Sequence, residues 1–310
     1  MMRDAVVIVG AGLMGGGIAA RSALAGNKTV VVDTDSARAA AGVGRAVACM
    51  DELAQNDLFD ADTAAAAKQL LSAADHLDEA LAGARMVIEA IVEDLAQKQA
   101  LFRRLDAALP PEVPILSNTS GLRITDIAAG MARPERAVTA HFWFPAHLVP
   151  LVEVVVGDKT DPQLAQAVKE ELDSWGKKAI LVKRDLPGQL ANRVLQAIIR
   201  EAANIVEIGL ASAEDVDTAI KAGLGIRLPV WGPLEHVDAV GLDLCVNVQD
   251  TVLPGISDRR ECGPLMREMK AEGNLGYKTG SGFYDWSQKD MGELEKKRND
   301  FIIHALRQIT

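Results

Sequence analysis

The sequence has few cysteines, fewer bases than acids and no long apolar run. Its 310 residues include three cysteines, Cys49, Cys245 and Cys262, which are far apart and odd in number. Such a set fits neither a disulfide framework nor a metal site, so we expect a protein of the reducing cytoplasm. The 33 Lys and Arg against 43 Asp and Glu leave a net charge of −10, which argues against a nucleic-acid surface.

Secretory and membrane segments are also missing from the pattern. Residues 1–4 lead directly into an apolar strand and do not resemble a signal peptide. No apolar run reaches the length that crosses a bilayer. We find no internal repeat, low-complexity tract or cluster of metal ligands. A composition of 49% hydrophobic and 25% charged residues is that of a globular protein, and 310 residues allow two domains.

A glycine-rich loop follows the first predicted strand and precedes a helix. Residues 5–9 are a continuous apolar run, typical of a buried parallel strand, and the loop Gly10-Ala11-Gly12-Leu13-Met14-Gly15 comes next. In this pattern Gly10 permits the tight turn, Gly12 lets a pyrophosphate approach, and Gly15 lets the helix pack on the sheet. The alternative is a glycine-rich turn that binds nothing.

An acid at the end of the second strand completes a dinucleotide-binding pattern. Residues 29–32 are a second apolar strand, and Asp33 follows directly. A carboxylate at this point accepts hydrogen bonds from both hydroxyls of an adenosine ribose and repels a 2′-phosphate. The sequence therefore predicts NAD rather than NADP.

A polar cluster follows another predicted strand. Residues 115–117 form the strand, and Asn118-Thr119-Ser120-Gly121 lies at its carboxyl end, where ligands of parallel sheets bind. The alternative is a cap for a helix that begins near Ile124.

The stretch HFWFPAHLVPLVEVVV, residues 141–156, predicts a catalytic hairpin. Residues 137–140 form a strand that ends at His141, two prolines turn the chain, and the returning strand carries one acid, Glu153. A buried acid requires a partner, and the return brings Glu153 beside His141. A carboxylate fixes the tautomer of an imidazole and stabilises its protonated form, as a general base requires. The alternative is a core histidine and an edge-strand acid.

The remaining pattern predicts a sheet domain followed by helices. Residues 36–82 are expected to form two helices split near Asn56-Asp57, and residues 183–188 read as a domain boundary. After the boundary the pattern indicates helices only, at 189–209, 212–223, 233–252, 261–272 and 288–308. The fold class is α/β, with an NAD-binding Rossmann-type domain at 1–184 and an all-helical substrate and dimerisation domain at 185–310. His76, His147, His236 and His304 have no acid at hairpin spacing and are interpreted as structural or solvated.

The chain resembles the 3-hydroxyacyl-CoA dehydrogenase family. The resemblance extends to about Trp286 and is carried by GAGLMGGGIA (10–19), EAIVEDLAQK (89–98), SNTSG (117–121), the hairpin at 141–156, LPGQLANR (186–193), WGPLEHVDAVGLD (231–243) and GYKTGSGFY (276–284). It implies an NAD-dependent dehydrogenase, active in fatty acid metabolism, whose helical domain builds a homodimer.

The resemblance also implies roles for single residues. His141 would be the catalytic base and Glu153 its partner, and Ser120 and Asn192 would bind the reacting oxygen or position His141. The implied cofactor contacts are the loop residues Gly10, Gly12, Leu13, Met14 and Gly15, then Asp33 at the adenosine ribose and Glu93, Lys98, Asn118 and Lys278 along the nicotinamide half. No metal is implied.

Two departures from the family affect the predicted substrate. The family commonly reads His-Phe-Phe-Asn-Pro, but Phe144 stands in the Asn position here. The region 46–78, which is basic towards CoA in CoA enzymes of the family, is acidic here, with seven acids and only Lys68 between Asp51 and Asp78. A 3-hydroxyacyl-CoA such as 3-hydroxybutyryl-CoA is the leading substrate. The alternatives are a small hydroxy acid without CoA, as for gulonate (lambda-crystallin type) and carnitine dehydrogenases, and a non-catalytic NAD-binding protein.

Overall fold

The computed structural model describes residues 4–309, and their contacts form two compact units. The first unit contains the chain up to Arg193 together with the segment that begins at Ile302, and the second is Val194–Phe301. The domain limits 1–184 and 185–310 stay a prediction. Residues 1–3, on which the absence of a signal peptide was predicted, lie outside the described residues.

Eight strands form a single sheet in the first unit. They are β1 (Ala5–Val9), β2 (Lys28–Val32), β3 (Leu71–Ala73), β4 (Ala84–Glu89), β5 (Ile115–Ser117), β6 (Ala137–Phe142), β7 (Leu151–Val155) and β8 (Lys178–Val182). Their order is β3-β2-β1-β4-β5-β6-β7-β8. All neighbours pair in parallel except β6 and β7, which are antiparallel. The predicted α/β class with a Rossmann-like sheet is confirmed.

Helices cover both faces of the sheet. They are α1 (Leu13–Leu24), α2 (Ser36–Gln55), α3 (Ala61–Lys68), α4 (Leu77–Leu81), α5 (Leu95–Ala108), α6 (Ile124–Ile127) and α7 (Pro162–Ser174), while α8 (Ala191–Glu207) runs into the second unit. Val6 and Ile8 of β1 belong to one apolar core, and Val7 and Val9 belong to another. Because alternate strand residues point to opposite faces, both faces of β1 are buried, which explains its unbroken apolar sequence.

The prediction of only two helices within 36–82 is wrong in part. Helices α2 and α3 separate near Asn56-Asp57 as expected, but strand β3 and helix α4 follow them. Strand β3 has three residues, two of them exposed, and it lies at the edge of the sheet. So short an element carries too little periodicity to be distinguished from a turn.

The second unit consists of helices and turns. Its helices after α8 are α9 (Ala213–Ala219), α10 (Pro233–Val240), α11 (Leu242–Val252), α12 (Pro264–Ala271) and most of α13 (Met291–Ile309). The single helix predicted at 233–252 is wrong, because Gly241 breaks it with a φ of 97°. A π-helical turn, Ile220–Gly225, extends α9. No strand longer than an isolated bridge occurs among residues 194–301.

The second unit buries little apolar surface of its own. Among its described residues Val216 is the only buried apolar side chain. Val230 is 89% exposed and Leu234 is 79% exposed. Over residues 4–309, no helix is both long and apolar enough to cross a membrane.

Candidate active site

The hairpin of β6 and β7 places His141 directly opposite Glu153. The two residues are register partners in the antiparallel pair, and His141 Nδ1 lies 2.8 Å from Glu153 Oε2. The histidine is 5% exposed and the glutamate 0%. The predicted proximity is confirmed. Because a carboxylate only accepts hydrogen bonds, Nδ1 carries the proton and Nε2 presents a lone pair.

Glu153 accepts four hydrogen bonds, two on each carboxylate oxygen. Oε2 accepts from His141 Nδ1 and, at 3.0 Å, from Trp143 Nε1. Oε1 accepts from the backbone N–H groups of Leu190 and Ala191, both at 2.9 Å. Burial alone would raise the pKa of Glu153, but these donors outweigh burial and lower the pKa to about 2. The carboxylate is therefore charged at neutral pH.

Ser120 contacts the opposite side of the imidazole. Its Oγ lies 3.1 Å from His141 Nε2. The loop that carries it is held by Glu93, whose Oε1 accepts from Thr119 Oγ1 at 2.5 Å, Ser120 N at 3.0 Å and Gly121 N at 2.9 Å. Burial would raise the pKa of Glu93, but these donors lower it. The interpretation of residues 118–121 as a cap for α6 is not supported, because the first turn of that helix donates to Asp185 instead, from the N–H of Thr125 to Oδ2 at 2.8 Å.

Lys98 is fully buried and links two acids. Its Nζ lies 2.5 Å from Glu89 Oε1 and 3.4 Å from Glu93 Oε2. Glu89, at the end of β4, also accepts from Ser117 Oγ at 2.6 Å. The sequence reasoning missed Glu89, although an acid that ends a buried strand was a usable signal. Lys98 thus faces acids instead of an open cleft, and its predicted contact with the nicotinamide stays a prediction.

The side chains of Asn118 and Asn192 each form a hydrogen bond with a backbone group of a residue next to His141 or in the loop of Ser120. Asn118 Oδ1 accepts from the N–H of Phe142 at 2.8 Å and so joins β5 to β6. Asn192 Nδ2 donates to the carbonyl of Ser120 at 3.2 Å. The structure therefore brings Asn192 to the loop of Ser120, and its predicted role at the reacting oxygen or in positioning His141 stays a prediction. Lys278 belongs to the second unit, and its cofactor contact stays a prediction.

The glycine loop has the backbone geometry that its sequence predicts. Gly10 has a φ of 108°, and a Cβ there would lie 2.5 Å from the carbonyl oxygen of Ala90. A Cβ on Gly15 would lie 1.8 Å from the carbonyl oxygen of Gly10. At Gly12 the space in front of the Cα holds no atom within 4 Å, and no side chain caps the N-terminus of α1. The N-cap residue Gly12 thus brings no side chain to the first N–H groups of α1, and the next residues are the exposed Leu13 and half-buried Met14.

Asp33 lies beside this loop at the end of β2. Its Oδ2 accepts from Ala11 N at 2.6 Å, and Oδ1 accepts from Thr34 N at 2.7 Å. Burial would raise the pKa of Asp33, but these donors lower it. Asp33 is therefore a charged acceptor beside the loop.

The turn between β6 and β7 is fixed from three directions. A Cβ on Gly17 would lie 3.0 Å from Ala146 Cβ, so the turn packs on α1. Lys177 Nζ donates to the carbonyl of Ala146, and His147 Nε2 lies 2.7 Å from Glu52 Oε2. His147, interpreted from the sequence as structural or solvated, is buried and has an acid partner. Its partner is 95 residues away on α2, which no local spacing predicts.

Several acids of the region 46–78 have basic partners. Asp51 pairs with Lys68 at 2.5 Å, and Arg104 of α5 reaches Asp78 at 2.8 Å. Arg104 lies outside the region and offsets one of its seven acids, whereas Lys68 was already counted with them. Phe144, by contrast, is 46% exposed on the turn. Among the described residues no cluster of three or more possible metal ligands occurs.

Two family models match the chain. The model of the 3-hydroxyacyl-CoA dehydrogenase NAD-binding domain matches residues 5–186, and that of the 3-hydroxyacyl-CoA dehydrogenase C-terminal domain matches residues 188–286. The match covers most of the chain, and it includes the glycine loop and the hairpin described above.

Individual proteins that are named for different activities are similar to the chain. A probable 3-hydroxybutyryl-CoA dehydrogenase of Bacillus subtilis is 38% identical over 289 residues, which cover 92% of the chain and 98% of that protein. The 5-formyl-3-hydroxy-2-methylpyridine 4-carboxylate 5-dehydrogenase of Mesorhizobium japonicum is 33% identical over 309 residues, which cover 100% of the chain and 98% of that protein.

A solved structure of the pyridine-carboxylate type is also similar. It is the crystal structure of a 5-formyl-3-hydroxy-2-methylpyridine 4-carboxylic acid (FHMPC) 5-dehydrogenase, an NAD⁺-dependent dismutase. It matches the chain with a TM-score of 0.88 at 32% identity. The match covers 100% of the chain and 98% of that structure. The likeness to this type thus extends over the whole chain.

Proposed function

This chain belongs to the 3-hydroxyacyl-CoA dehydrogenase family, and from that premise we propose that His141 is the general base of an NAD-dependent oxidation of a hydroxyl group. The cofactor and the reaction class, a dehydrogenase acting on CH–OH, follow from the family. The role of His141 rests on one observation, the 2.8 Å contact between its Nδ1 and the buried Glu153. This contact leaves the lone pair of Nε2, which Ser120 Oγ faces at 3.1 Å, as the acceptor for the proton of a substrate hydroxyl.

The residues of the glycine loop fit NAD. The space in front of Gly12 and the uncapped N-terminus of α1 suit a pyrophosphate, and Asp33 suits an adenosine ribose. When bound, NAD supplies the acceptor for the hydride. We propose that Asn118 and Glu93 lie along its nicotinamide half, and that the buried Lys98 acts there through Glu93.

Each polar residue around His141 has a distinct task in this proposal. Glu153 stabilises the imidazolium that forms when His141 accepts the proton. Ser120 Oγ, 3.1 Å from Nε2, hydrogen-bonds the substrate oxygen beside the base. Asn192 fixes the loop of Ser120 through its carbonyl. The base is thereby oriented before substrate arrives, which lowers the reorganisation that the reaction requires.

Two substrate classes compete. The family and its 3-hydroxybutyryl-CoA dehydrogenases favour the 3-hydroxyl of a 3-hydroxyacyl-CoA. We infer that a small hydroxy compound without CoA fits better, because Phe144, three residues after the base, puts an exposed apolar ring where the family commonly has an amide. The likeness of the whole chain to a dehydrogenase named for a pyridine carboxylate supports the same class.

The first experiment tests the base. His141→Ala should lower turnover by about 10²–10⁴, as loss of a general base does, with NAD affinity unchanged. His76→Ala is the matched control, because His76 is exposed and its side chain does not cap α4. If His141→Ala keeps full turnover, the proposed base is wrong, and His147 is the next candidate.

The second experiment tests the substrate. The values of kcat/KM for 3-hydroxybutyryl-CoA and for free hydroxy acids, including aromatic ones, are compared at low and high salt. We expect the free acids to react faster. Efficient turnover of the thioester together with inert free acids would refute the proposal of a substrate without CoA. That result would support a 3-hydroxyacyl-CoA as the substrate.

A further inference from the structure

Trp143 donates to the same carboxylate oxygen as the base. Its Nε1 lies 3.0 Å from Glu153 Oε2, and His141 Nδ1 lies 2.8 Å from that atom. The indole and imidazole rings are neighbours, with centroids 5.7 Å apart and an angle of 53° between their planes. We propose that Trp143 is a positioning residue that sets how strongly Glu153 supports the protonated form of His141. The proposal rests on the proposed role of His141.

The physical argument begins with the number of donors on one oxygen. Glu153 is 0% exposed, so its Oε2 interacts with Trp143 and His141 and not with bulk water. A hydrogen bond to a charged acceptor is stronger than one between neutral groups, and it stabilises the negative charge by itself. The share of charge that Trp143 stabilises is no longer available to an imidazolium. The indole therefore makes His141 release its proton more readily.

The motif of the family gives this position a natural comparison. Where the family commonly reads His-Phe-Phe-Asn-Pro, this chain has Trp143 in place of the second phenylalanine. A phenyl ring fills similar space but has no N–H group. Trp143→Phe therefore removes the donor and keeps an aromatic ring beside His141.

Other ionisable groups near the pair remain the same in that variant. Glu93 accepts from the backbone N–H of Ser120 and makes no hydrogen bond to the imidazole itself among the described residues. Arg193, at the start of α8, donates to the carbonyl of Pro187. Neither side chain contacts Trp143 among the hydrogen bonds of the described residues. A change in the titration of His141 is then attributable to the lost indole donor.

The chain contains a matched control. Trp175 Nε1 donates to Glu171 Oε1 at 2.9 Å, and the partner of that glutamate is Arg85, not a histidine. Trp175→Phe thus removes an indole donor from a glutamate without touching the base. Any general effect of replacing a tryptophan appears in both variants, whereas the proposed effect appears only at position 143.

The test is an NMR titration of the His141 imidazole in the full-length protein, with its signal assigned by His141→Asn. In Trp143→Phe the titration midpoint should rise by on the order of half a pH unit to one unit, because the carboxylate then serves the imidazolium alone. The acidic limb of the kcat/KM profile should move in the same direction. Trp175→Phe should leave the midpoint unchanged. Trp143→Leu, which also removes the donor, should reproduce the rise if the phenylalanine variant folds poorly.

Two outcomes would overturn the proposal. The first is an unchanged or lowered midpoint in both Trp143 variants. The second is a rise that persists in full when Trp143→Phe is added to Glu153→Gln, because the effect should pass through the carboxylate. The titration requires no substrate, so its result is separate from the turnover of His141→Ala that tests the proposed base.

Discussion

Replacing Glu153 by glutamine tests the centre of the proposed mechanism. The carboxylate accepts four donors, two on each oxygen. A glutamine in the same orientation keeps one oxygen for the N–H groups of Leu190 and Ala191. Its amide NH₂ then faces the N–H groups of His141 and Trp143. Turning the amide over only transfers the conflict to the backbone, so two buried donors lose their acceptor in either orientation.

Both stability and turnover should respond. Each buried donor left without an acceptor costs about 1–3 kcal/mol, so the two donors should lower the free energy of unfolding of Glu153→Gln by about 2–6 kcal/mol at pH 7. Over most of the usual stability range of a domain, about 5–15 kcal/mol, the protein stays folded after such a loss. His141 can relieve the conflict only by moving its proton to Nε2, which removes the lone pair that accepts the substrate proton. Turnover should therefore fall by about 10²–10⁴.

The pH dependence gives a second signature. The folded-state pKa of Glu153, about 2, lies below its ordinary value of 4.5, so the unfolded chain binds the proton more tightly. The carboxylate therefore stabilises the fold above pH 4.5, and this contribution is lost as the pH falls towards 2. The difference in unfolding free energy between the wild type and Glu153→Gln should narrow over that range.

The assay combines urea unfolding at several pH values with NADH formation. Glu171→Gln is the matched control, because Glu171 also accepts from a tryptophan but lies beside Arg85 instead of a histidine. The control should retain turnover. A Glu153→Gln enzyme with the turnover of the wild type would refute the reasoning, since it would show that His141 acts as a base without the negative charge of the Glu153 carboxylate.

Three further predictions address the cofactor, the assembly and the pocket. Because of Asp33, NADH should bind at least about tenfold more tightly than NADPH in a fluorescence titration, and equal binding would contradict the assignment. Light scattering should give about twice the 33.0 kDa chain mass, because apolar residues such as Val230 and Leu234 are exposed and would be buried in a homodimer. A monomer mass at micromolar concentration would exclude the homodimer. Phe144→Asn should lower kcat/KM for an aromatic hydroxy acid about tenfold, and an unchanged value would show that the ring only fills space.

Local patterns predicted most of the elements that hold the site. The apolar run of β1, the glycine loop and Asp33 form one continuous stretch, so their interactions are local and their order in the sequence defines them. The same holds for His141 and Glu153, because the register of an antiparallel pair places them side by side within twelve residues. These parts of the fold and the site were predictable from the sequence.

Only the tertiary structure decided how those groups are supported. Glu52 reaches His147 across 95 residues, and the N–H groups of Leu190 and Ala191 arrive from 37 and 38 residues beyond Glu153. The donor role of Trp143 depends on the direction of its indole, which periodicity does not encode. A hydrogen bond requires distances within a few tenths of an ångström, and packing between distant segments sets those distances. The sequence by itself thus determined that His141 meets Glu153, and the fold determined which further groups donate to that pair.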